Sequence, residues 1–355
     1  MLVLNDIHLG VKRNGGTTPA SREALRHYLF TAVEEIFIDT TETHVLIAGD
    51  LFDQFEIEGR DWVQTYLIFQ DWLSSNPTRK LTLVAGNHDW SPKGTRVSSF
   101  EMLAKVLTEQ FGPDQIQVIN IDEWTYVDGT TAALAHCSNQ DIFEQKLGEV
   151  LEKVQSGERI VLHANYDNNF AVESDHSLNV SKEQAQAFAN KGATLYFAHE
   201  HQARAELGGS VVVFGNQWPS SVSDCLNNDE KFAHVFSGGI EKVKAWGKSE
   251  DVGYTEVHWG DLMLKPDFNP QGFVKVTGTA SSNEAGDCLS VIAKFRARSV
   301  AFVITNGVKI EGIVDNEALP QAFEATKAFD VMSFINSNLD ERQQAAVKKL
   351  TEVVR

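Results

Sequence analysis

The sequence predicts a layered α/β fold with helices on both faces, followed by a smaller α+β domain. Three observations carry this reading. Short apolar runs alternate with helix-length segments up to about residue 240, as strands and helices taken in turn should. Five strand ends in the chain deliver Asp, Asn or His side chains within a few residues, at the carboxyl edge where open α/β folds hold their ligands. After Phe236-Ser237-Gly238-Gly239 the alternation gives way to short strands.

Taken in order, strands are expected at Leu2 to Leu4, Val45 to Ala48, Leu81 to Ala85, Ala132 to Ala135, Ile160 to Leu162, Leu195 to Ala198 and Val211 to Phe214. Each is a short, continuous apolar run of the kind that fills a buried strand. Pro19-Ala20-Ser21-Arg22-Glu23 opens a helix that runs to about Ile38, since proline suits a first helical turn. Further helices are expected at Arg60 to Leu73, Ser99 to Gln110, Asp141 to Gln155 and Ser181 to Asn190. These elements make a first domain of residues 1–240, joined near 238–255 to a second of residues 255–355. The second domain reads as strands at Gly272 to Gly278, Leu289 to Phe295, Ser299 to Ile304 and Val308 to Gly312, then helices near Ala318 to Ala328 and Val331 to Arg355. Its last helix, Asp340 to Val354, sets Ala345, Ala346, Leu350 and Val353 on one face and Lys348 and Lys349 on another, an amphipathic pattern for packing on its own domain or docking a partner.

A hydrophobic content of 42% over 355 residues supports a substantial core. The net charge of −18 weighs against tight nucleic-acid binding by this chain alone, although carboxylates that hold cations inflate the formal count. Cys137, Cys225 and Cys288 are far apart and odd in number, so no disulfide framework or thiolate zinc site is expected and a reducing cytosol fits. Met1-Leu2-Val3-Leu4 already reads as a strand with no basic segment before it, so no signal peptide is expected. No run of ~18 apolar residues offers a membrane span.

The five strand ends are Asp6-Ile7-His8-Leu9-Gly10, Gly49-Asp50-Leu51-Phe52-Asp53, Gly86-Asn87-His88-Asp89, Leu162-His163-Ala164-Asn165 and Ala198-His199-Glu200-His201. In extended chain, residues two apart face the same side, so Asp6 with His8, and His199 with His201, can each address one ion. Carboxylate, imidazole and amide donors without thiolates suit manganese, iron or zinc better than copper or an iron–sulfur cluster. Seven ligands from five loops are too many for one ion. Two ions sharing a carboxylate solve this, and Asp50, on the second strand, is the natural bridge. His136 also follows an apolar strand and rivals His163. His163 is preferred because it lies one strand before His199 and is followed by Asn165-Tyr166-Asp167, which suits a site loop. Trp90 reads as rim packing or a base-stacking platform. Lys12, Arg13, Lys93 and Arg96 read as solvated loop charges or phosphate-steering groups.

The order D-x-H, G-D-x-x-D, G-N-H-D, H, H-x-H over roughly residues 1–215 resembles the calcineurin-like metallophosphoesterase superfamily. That resemblance implies a β-sandwich flanked by helices. It also implies Asp6, His8, Asp50 and His201 around one metal, and Asp50, Asn87, His163 and His199 around the other. Two divalent ions are implied, manganese foremost, with iron, zinc and magnesium as alternatives. Such a pair, about 3.5–4 Å apart, acidifies a shared water and clamps phosphate oxygens for in-line attack by hydroxide. His88 is implied to be a non-ligand imidazole beside the scissile phosphate. Positioned by Asp53 or another carboxylate, it protonates the leaving oxygen.

Within the superfamily, protein phosphatases carry Arg-Gly after the second motif, where this chain has Gln54-Phe55, so that branch is set aside. Gly49-Asp50-Leu51-Phe52-Asp53, the Asp6-Ile7-His8-Leu9-Gly10 opening and the small second domain are similar to the SbcD-type nuclease subunits of DNA repair. So is Phe214-Gly215-Asn216-Gln217-Trp218-Pro219-Ser220-Ser221, except that Asn216-Gln217-Trp218 stands where relatives have a tighter Gly-Ser-Pro turn, and Ala198 replaces a common glycine. This resemblance implies a manganese-dependent exonuclease and endonuclease on DNA, a homodimer, and an SbcC-type ABC ATPase with a coiled coil as partner. It also implies a capping domain from about residue 255 and a cytoplasmic location, the host cytoplasm if the chain is phage-encoded. The alternatives are a small-molecule or nucleotide phosphodiesterase, and a metal-retaining idle scaffold. The scaffold is disfavoured because His88 and every expected ligand are present.

Overall fold

A computed structural model describes residues 1–11, 19–90, 96–168, 177–218, 232–237, 239–244, 254–270 and 273–311. Lys12, Arg13, Lys93, His176, Pro219, Ser220, Ser221, Cys225 and both helices expected beyond residue 312 lie outside the described residues.

The fold is mixed α/β. In chain order the elements are β1 (Leu2–Leu4), α1 (Pro19–Asp39), β2 (His44–Ala48), α2 (Gly59–Ser74), β3 (Lys80–Val84), α3 (Ser99–Phe111), β4 (Ile116–Ile119), β5 (Trp124–Tyr126), β6 (Thr131–Leu134), α4 (Gln140–Lys153) and β7 (Arg159–His163). There follow β8 (Asn165–Tyr166), β9 (Asn179–Val180), α5 (Lys182–Asn190), β10 (Thr194–Ala198), β11 (Arg204–Glu206), β12 (Val211–Val213), β13 (Phe232–Ser237), β14 (Gly239–Lys244), β15 (Tyr254–His258), α6 (Trp259–Leu264), β16 (Phe273–Ala280), α7 (Ala285–Arg298) and β17 (Phe302–Ile310).

Two six-stranded sheets dominate, ordered β14-β13-β1-β2-β3-β4 and β11-β12-β10-β7-β6-β5. In the first, β1 to β4 run parallel while β13 is antiparallel to β1. In the second, β6, β7, β10 and β12 run parallel, and the edge strands β5 and β11 are antiparallel to their neighbours. Central parallel strands are covered on both faces and so read as unbroken apolar runs. Val45, Leu46 and Ile47, and Leu195 and Phe197, are wholly buried. Leu4, Ile47 and Leu83 of the first sheet and Ala133, Val161 and Tyr196 of the second belong to one core.

The helices start where local chemistry says they should. Ser98 caps α3 and Ser181 caps α5, each in a reciprocal box with the Glu101 or Gln184 side chain three residues on, and Asn139 caps α4.

Two compact units emerge, one of Met1–Thr255 with Asn269–Val274 and Arg298–Val303, the other of Glu256–Phe268, Lys275–Ala297 and Ile304–Arg355. A three-stranded sheet β15-β16-β17 and the helices α6 and α7 belong to the chain after residue 253. Two expectations are corrected here. Leu289 to Phe295 is not a strand but the body of α7, which buries Cys288, Ile292 and Phe295. The alternation of Leu289, Val291, Ala293 and Phe295 masked a helical spacing of four and three residues. Ser299 to Ile304 and Val308 to Gly312 are not two strands but one, β17. Thr305-Asn306-Gly307 looks like a turn, yet Gly307 stays within the strand. A Cβ there would press against the Val276 carbonyl and Thr277, so the glycine serves close strand approach. Among the described residues no helix is long and apolar enough to cross a membrane.

Candidate metal centre

Five parallel strands deliver the candidate side chains at their carboxyl ends: β1, β2 and β3 in one sheet, β7 and β10 in the other. Backbone bonds continue past the strands and fix the first two loops to each other: Asp6 N–H to the Gly49 carbonyl (3.2 Å), His8 N–H to that of Asp50 (3.0 Å) and Asp53 N–H to that of Leu9 (3.0 Å). The sharp exits have a conformational cost. Asp6, His8, Asp50 and His199 sit at φ of 49°, 53°, 50° and 82°, in the left-handed region. For non-glycine residues this strain is on the order of 1–3 kcal/mol each and persists where surroundings enforce it.

The side chains converge. Asp6, His8 and His201 form one group whose ligand atoms all lie within 4.8 Å of one another, and Asp50, His163 and His199 form a second. Asn87 joins the second group, its Oδ1 2.9 Å from His163 Nε2 and 3.0 Å from His199 Nδ1. Asp50 lies between the groups: its Oδ2 is 3.3 Å from His163 Nε2 and 4.0 Å from His8 Nε2. His8, Asp53 and His88 make a third acid–histidine group beside the first. His88 Nδ1 lies 2.6 Å from the Asp53 main-chain carbonyl, an obligate acceptor, so Nδ1–H donates there. The expectation that an Asp53 carboxylate orients His88 therefore changes form: the bond to Asp53 comes from its backbone, while its carboxylate stands 3.9 Å from His8 Nδ1.

These donors fit cations. His163 Nδ1 lies 3.0 Å from the Ala48 carbonyl and must donate to it, which turns Nε2 toward two oxygens, Asn87 Oδ1 and Asp50 Oδ2. His8 Nε2 faces His201 Nε2 at 3.3 Å, and its Nδ1 is buried without a hydrogen-bond partner among the described residues. Lone pairs gathered around common points call for positive charge between them. Protons supply it here only in part. Burial works against a charged His163, but Asp50 outweighs it and raises the imidazole to about 9. Burial likewise opposes ionisation of Asp50, yet His163, with His88 and His8, holds it well below the usual carboxylate range. His8 is pushed down to about 4, chiefly by burial, and stays neutral with a lone pair to give.

Several supporting groups escaped the sequence reading. Asp89, inside the expected motif, clamps two loops: its carboxylate accepts from Gly86 N–H (3.0 Å) and Phe52 N–H (3.3 Å). Ser177 Oγ lies 3.0 Å from His199 Nε2. Glu200, between the two histidines, accepts from Tyr166 N–H (2.6 Å) and is gripped by Arg204. No periodic signal marks Ser177, because a lone serine looks the same in any loop. Gly86 was legible as a strand stop, but its steric reason was not. A Cβ on Gly86 would run into Asp50 Oδ1 and the Asp50 backbone nitrogen, which cannot move aside. Gly86→Ala should destabilise the fold by about 3 kcal/mol, the upper range for overpacking, as read from urea unfolding.

The remaining candidates are bland or peripheral. His136 is buried beside the centre, its ring 6.3 Å from that of His163, and burial above all lowers it to about 3. Trp90 is half-buried and lines a cleft with Phe100, Asn120 and Ser138. Arg96 pairs with Glu56 over the Phe55 ring. His44 bonds Thr82, His234 packs tilted against the Phe214 ring, His258 caps α6, and His27 is exposed. Cys137 and Cys288 are buried free thiols.

Fold and centre together define a class: an α/β protein of two facing sheets that gathers carboxylates, imidazoles and an amide into adjoining metal-binding groups. The family model for calcineurin-like phosphoesterases matches residues 1–203, more than half of the chain, and the chain belongs to that family. It is thus a metal-dependent phosphoesterase of a family that uses two divalent ions. No curated protein matches it.

Proposed function

We propose that this chain is an SbcD-like DNA phosphodiesterase, an exonuclease and endonuclease that works with two manganese ions. The observation that carries the chemistry is the place of Asp50. Its Oδ2 lies between the two ligand groups and 3.9 Å from His88 Nε2. Asp6, His8, Asp50 and His201 would hold one ion, and Asp50, Asn87, His163 and His199 the other. When bound, the ions supply positive charge for phosphate oxygens and acidify a water. The protein's own contribution is positional. The Asp53 carbonyl fixes the His88 ring, and His88 N–H donates to Asp50 Oδ1 (2.9 Å), so the imidazole is anchored at both its ring and its backbone. The ring is half-buried, and its Nε2 is the atom that passes a proton to the leaving oxygen.

The narrowing to DNA rests on Asp6-Ile7-His8-Leu9-Gly10, Gly49-Asp50-Leu51-Phe52-Asp53 and the strands and helices after residue 253. The net charge of −18 favours the second reading, a small-molecule or nucleotide phosphodiesterase. An SbcC-type ATPase partner reconciles that charge with DNA by supplying the basic surface. Val63 and Leu67 of α2 and Met102 of α3 are exposed, and support a homodimer through these helices. The cytoplasm, or a phage host's cytoplasm, is the matching location. The test is purified protein with MnCl₂ on linear duplex DNA and on bis-p-nitrophenyl phosphate, with and without the ATPase. We expect cleavage of both. Activity on the ester with none on DNA, even with the ATPase, selects the small-molecule reading.

A further inference from the structure

We propose that Asn5 and Gln217 are positioning residues that fix the Asp6 side of the metal centre, using the segment Asn216-Gln217-Trp218. The inference rests on the metal role given to Asp6 above.

A backbone N–H is a donor that cannot change its identity. Asn5 backbone N–H points at the Gln217 side-chain oxygen, at 2.8 Å. That bond settles which end of the Gln217 amide is oxygen. The other end, Nε2, must then donate to Asn5 Oδ1, at 2.6 Å. This in turn settles the Asn5 amide, whose Nδ2 is left to donate to Asp6 Oδ2 (2.5 Å) and to the Gly215 carbonyl (2.9 Å). The chain of donors ends on the Asp6 carboxylate. His199 N–H holds the same carboxylate from the opposite sheet, 2.9 Å from Oδ2 and 3.1 Å from Oδ1.

Asn5, Asp6 and Gln217 are all but fully buried, so water does not compete for these bonds. The segment also touches a second member of the same ligand group, His201. Asn216 N–H reaches the His201 carbonyl at 3.4 Å, and Asn216 Nδ2 donates to the Trp218 carbonyl at 2.6 Å, with Trp218 sealed beneath. Thus the segment reaches Asp6 through Asn5 and the His201 backbone directly, and both Asp6 and His201 belong to the first ligand group. Asp6 also carries a left-handed backbone, so a held carboxylate is what keeps the strained exit in its ligating orientation.

The experiment is calorimetric titration of metal-stripped protein with MnCl₂, for wild type, Gln217→Met, Asn5→Ala and the double variant. Methionine keeps the bulk of Gln217 and removes both of its bonds to Asn5. Asn5→Ala leaves the Gln217 side chain in place and removes the donor to Asp6. Wild type should bind two ions. Each single variant should weaken one of them about tenfold or more, the effect of losing an outer partner of a ligand, and leave the other within about twofold. The double variant should be no weaker than the worse single, because both act through one bond. Equal weakening of both ions, no weakening, or additive losses overturns the inference while leaving the metal reading intact. A wild type that binds fewer than two ions overturns that reading and the inference with it. Thermal unfolding without metal identifies a variant that has lost its fold; if one has, the other decides, and collapse of both at the metal-free stage shows a structural role and overturns the inference.

Discussion

Asp50→Ala should purify with neither metal ion and with no measurable phosphoesterase activity. The carboxylate it removes serves both ligand groups, with Oδ2 reaching toward His163 on one side and His8 on the other. Oδ1 also accepts from His88 N–H, so the third loop loses one of its ties to the second, beside those made by Asp89 to Phe52 N–H and by His88 Nδ1 to the Asp53 carbonyl. The metal content of wild type after dialysis against MnCl₂ should be two per chain, and that of the variant zero, by elemental analysis. A second reading comes from stability. Ligand that binds only the folded state adds about 2.7 kcal/mol at a hundredfold excess over Kd. Manganese should therefore raise the wild-type melting temperature and leave that of Asp50→Ala unchanged. Retention of one tightly held ion would show that Asp50 belongs to one group alone.

The core of the fold was legible because parallel strands covered on both faces must be apolar throughout. Leu2–Leu4 and His44–Ala48 could be placed to within a residue. The convergence of the loops was legible for a related reason. A parallel sheet carries all its carboxyl ends on one edge, so acid and imidazole residues at those ends have only one place to meet. What was not legible depended on partners distant in sequence. Ile116–Ile119 is only four residues long, with Gln117 inside it and Gln117 and Val118 half-buried, and it reads as a strand only once β3 stands beside it. Asn165–Tyr166 and Asn179–Val180 are two-residue strands that exist by pairing with each other. In the second unit, Leu289, Val291 and Ala293 mimic a strand, and only burial of Cys288, Ile292 and Phe295 decides for a helix.

The same limit applies within the site. The residue types of Asp6, His8, Asp50 and His199 were visible, but their left-handed backbones were not, since Asp and His carry no sign of φ in a sequence. Gln217 was noticed only as a departure from a turn. Its bonds to Asn5 span more than two hundred residues, and nothing local in either segment announces them. Side chains that bind directly cluster at strand ends and can be recognised by type. Those that hold them in place are drawn from anywhere the fold brings near.

His88→Ala should keep both ions and lose turnover by roughly 10²- to 10⁴-fold, the range for removing a general acid. Metal retention follows from geometry. The contact that ties this residue to the shared carboxylate is its backbone N–H to Asp50 Oδ1, and alanine retains it. The lost group is the ring, held through Nδ1 by the Asp53 carbonyl with Nε2 3.9 Å from Asp50 Oδ2. The size of the loss should depend on the leaving group. An alkoxide leaving a DNA phosphodiester needs a proton as the bond breaks, whereas p-nitrophenolate leaves readily without one. The variant should therefore lose more on a dialkyl phosphodiester than on bis-p-nitrophenyl phosphate, with KM little changed on either. Equal losses on both would assign the imidazole to charge stabilisation instead. Loss of an ion would make His88 a ligand, which is the alternative posed by its grouping with His8 and Asp53. Equal metal content in His88→Ala and Asp50→Ala would break the division of labour between the acid that gathers the ions and the imidazole that stands beside them.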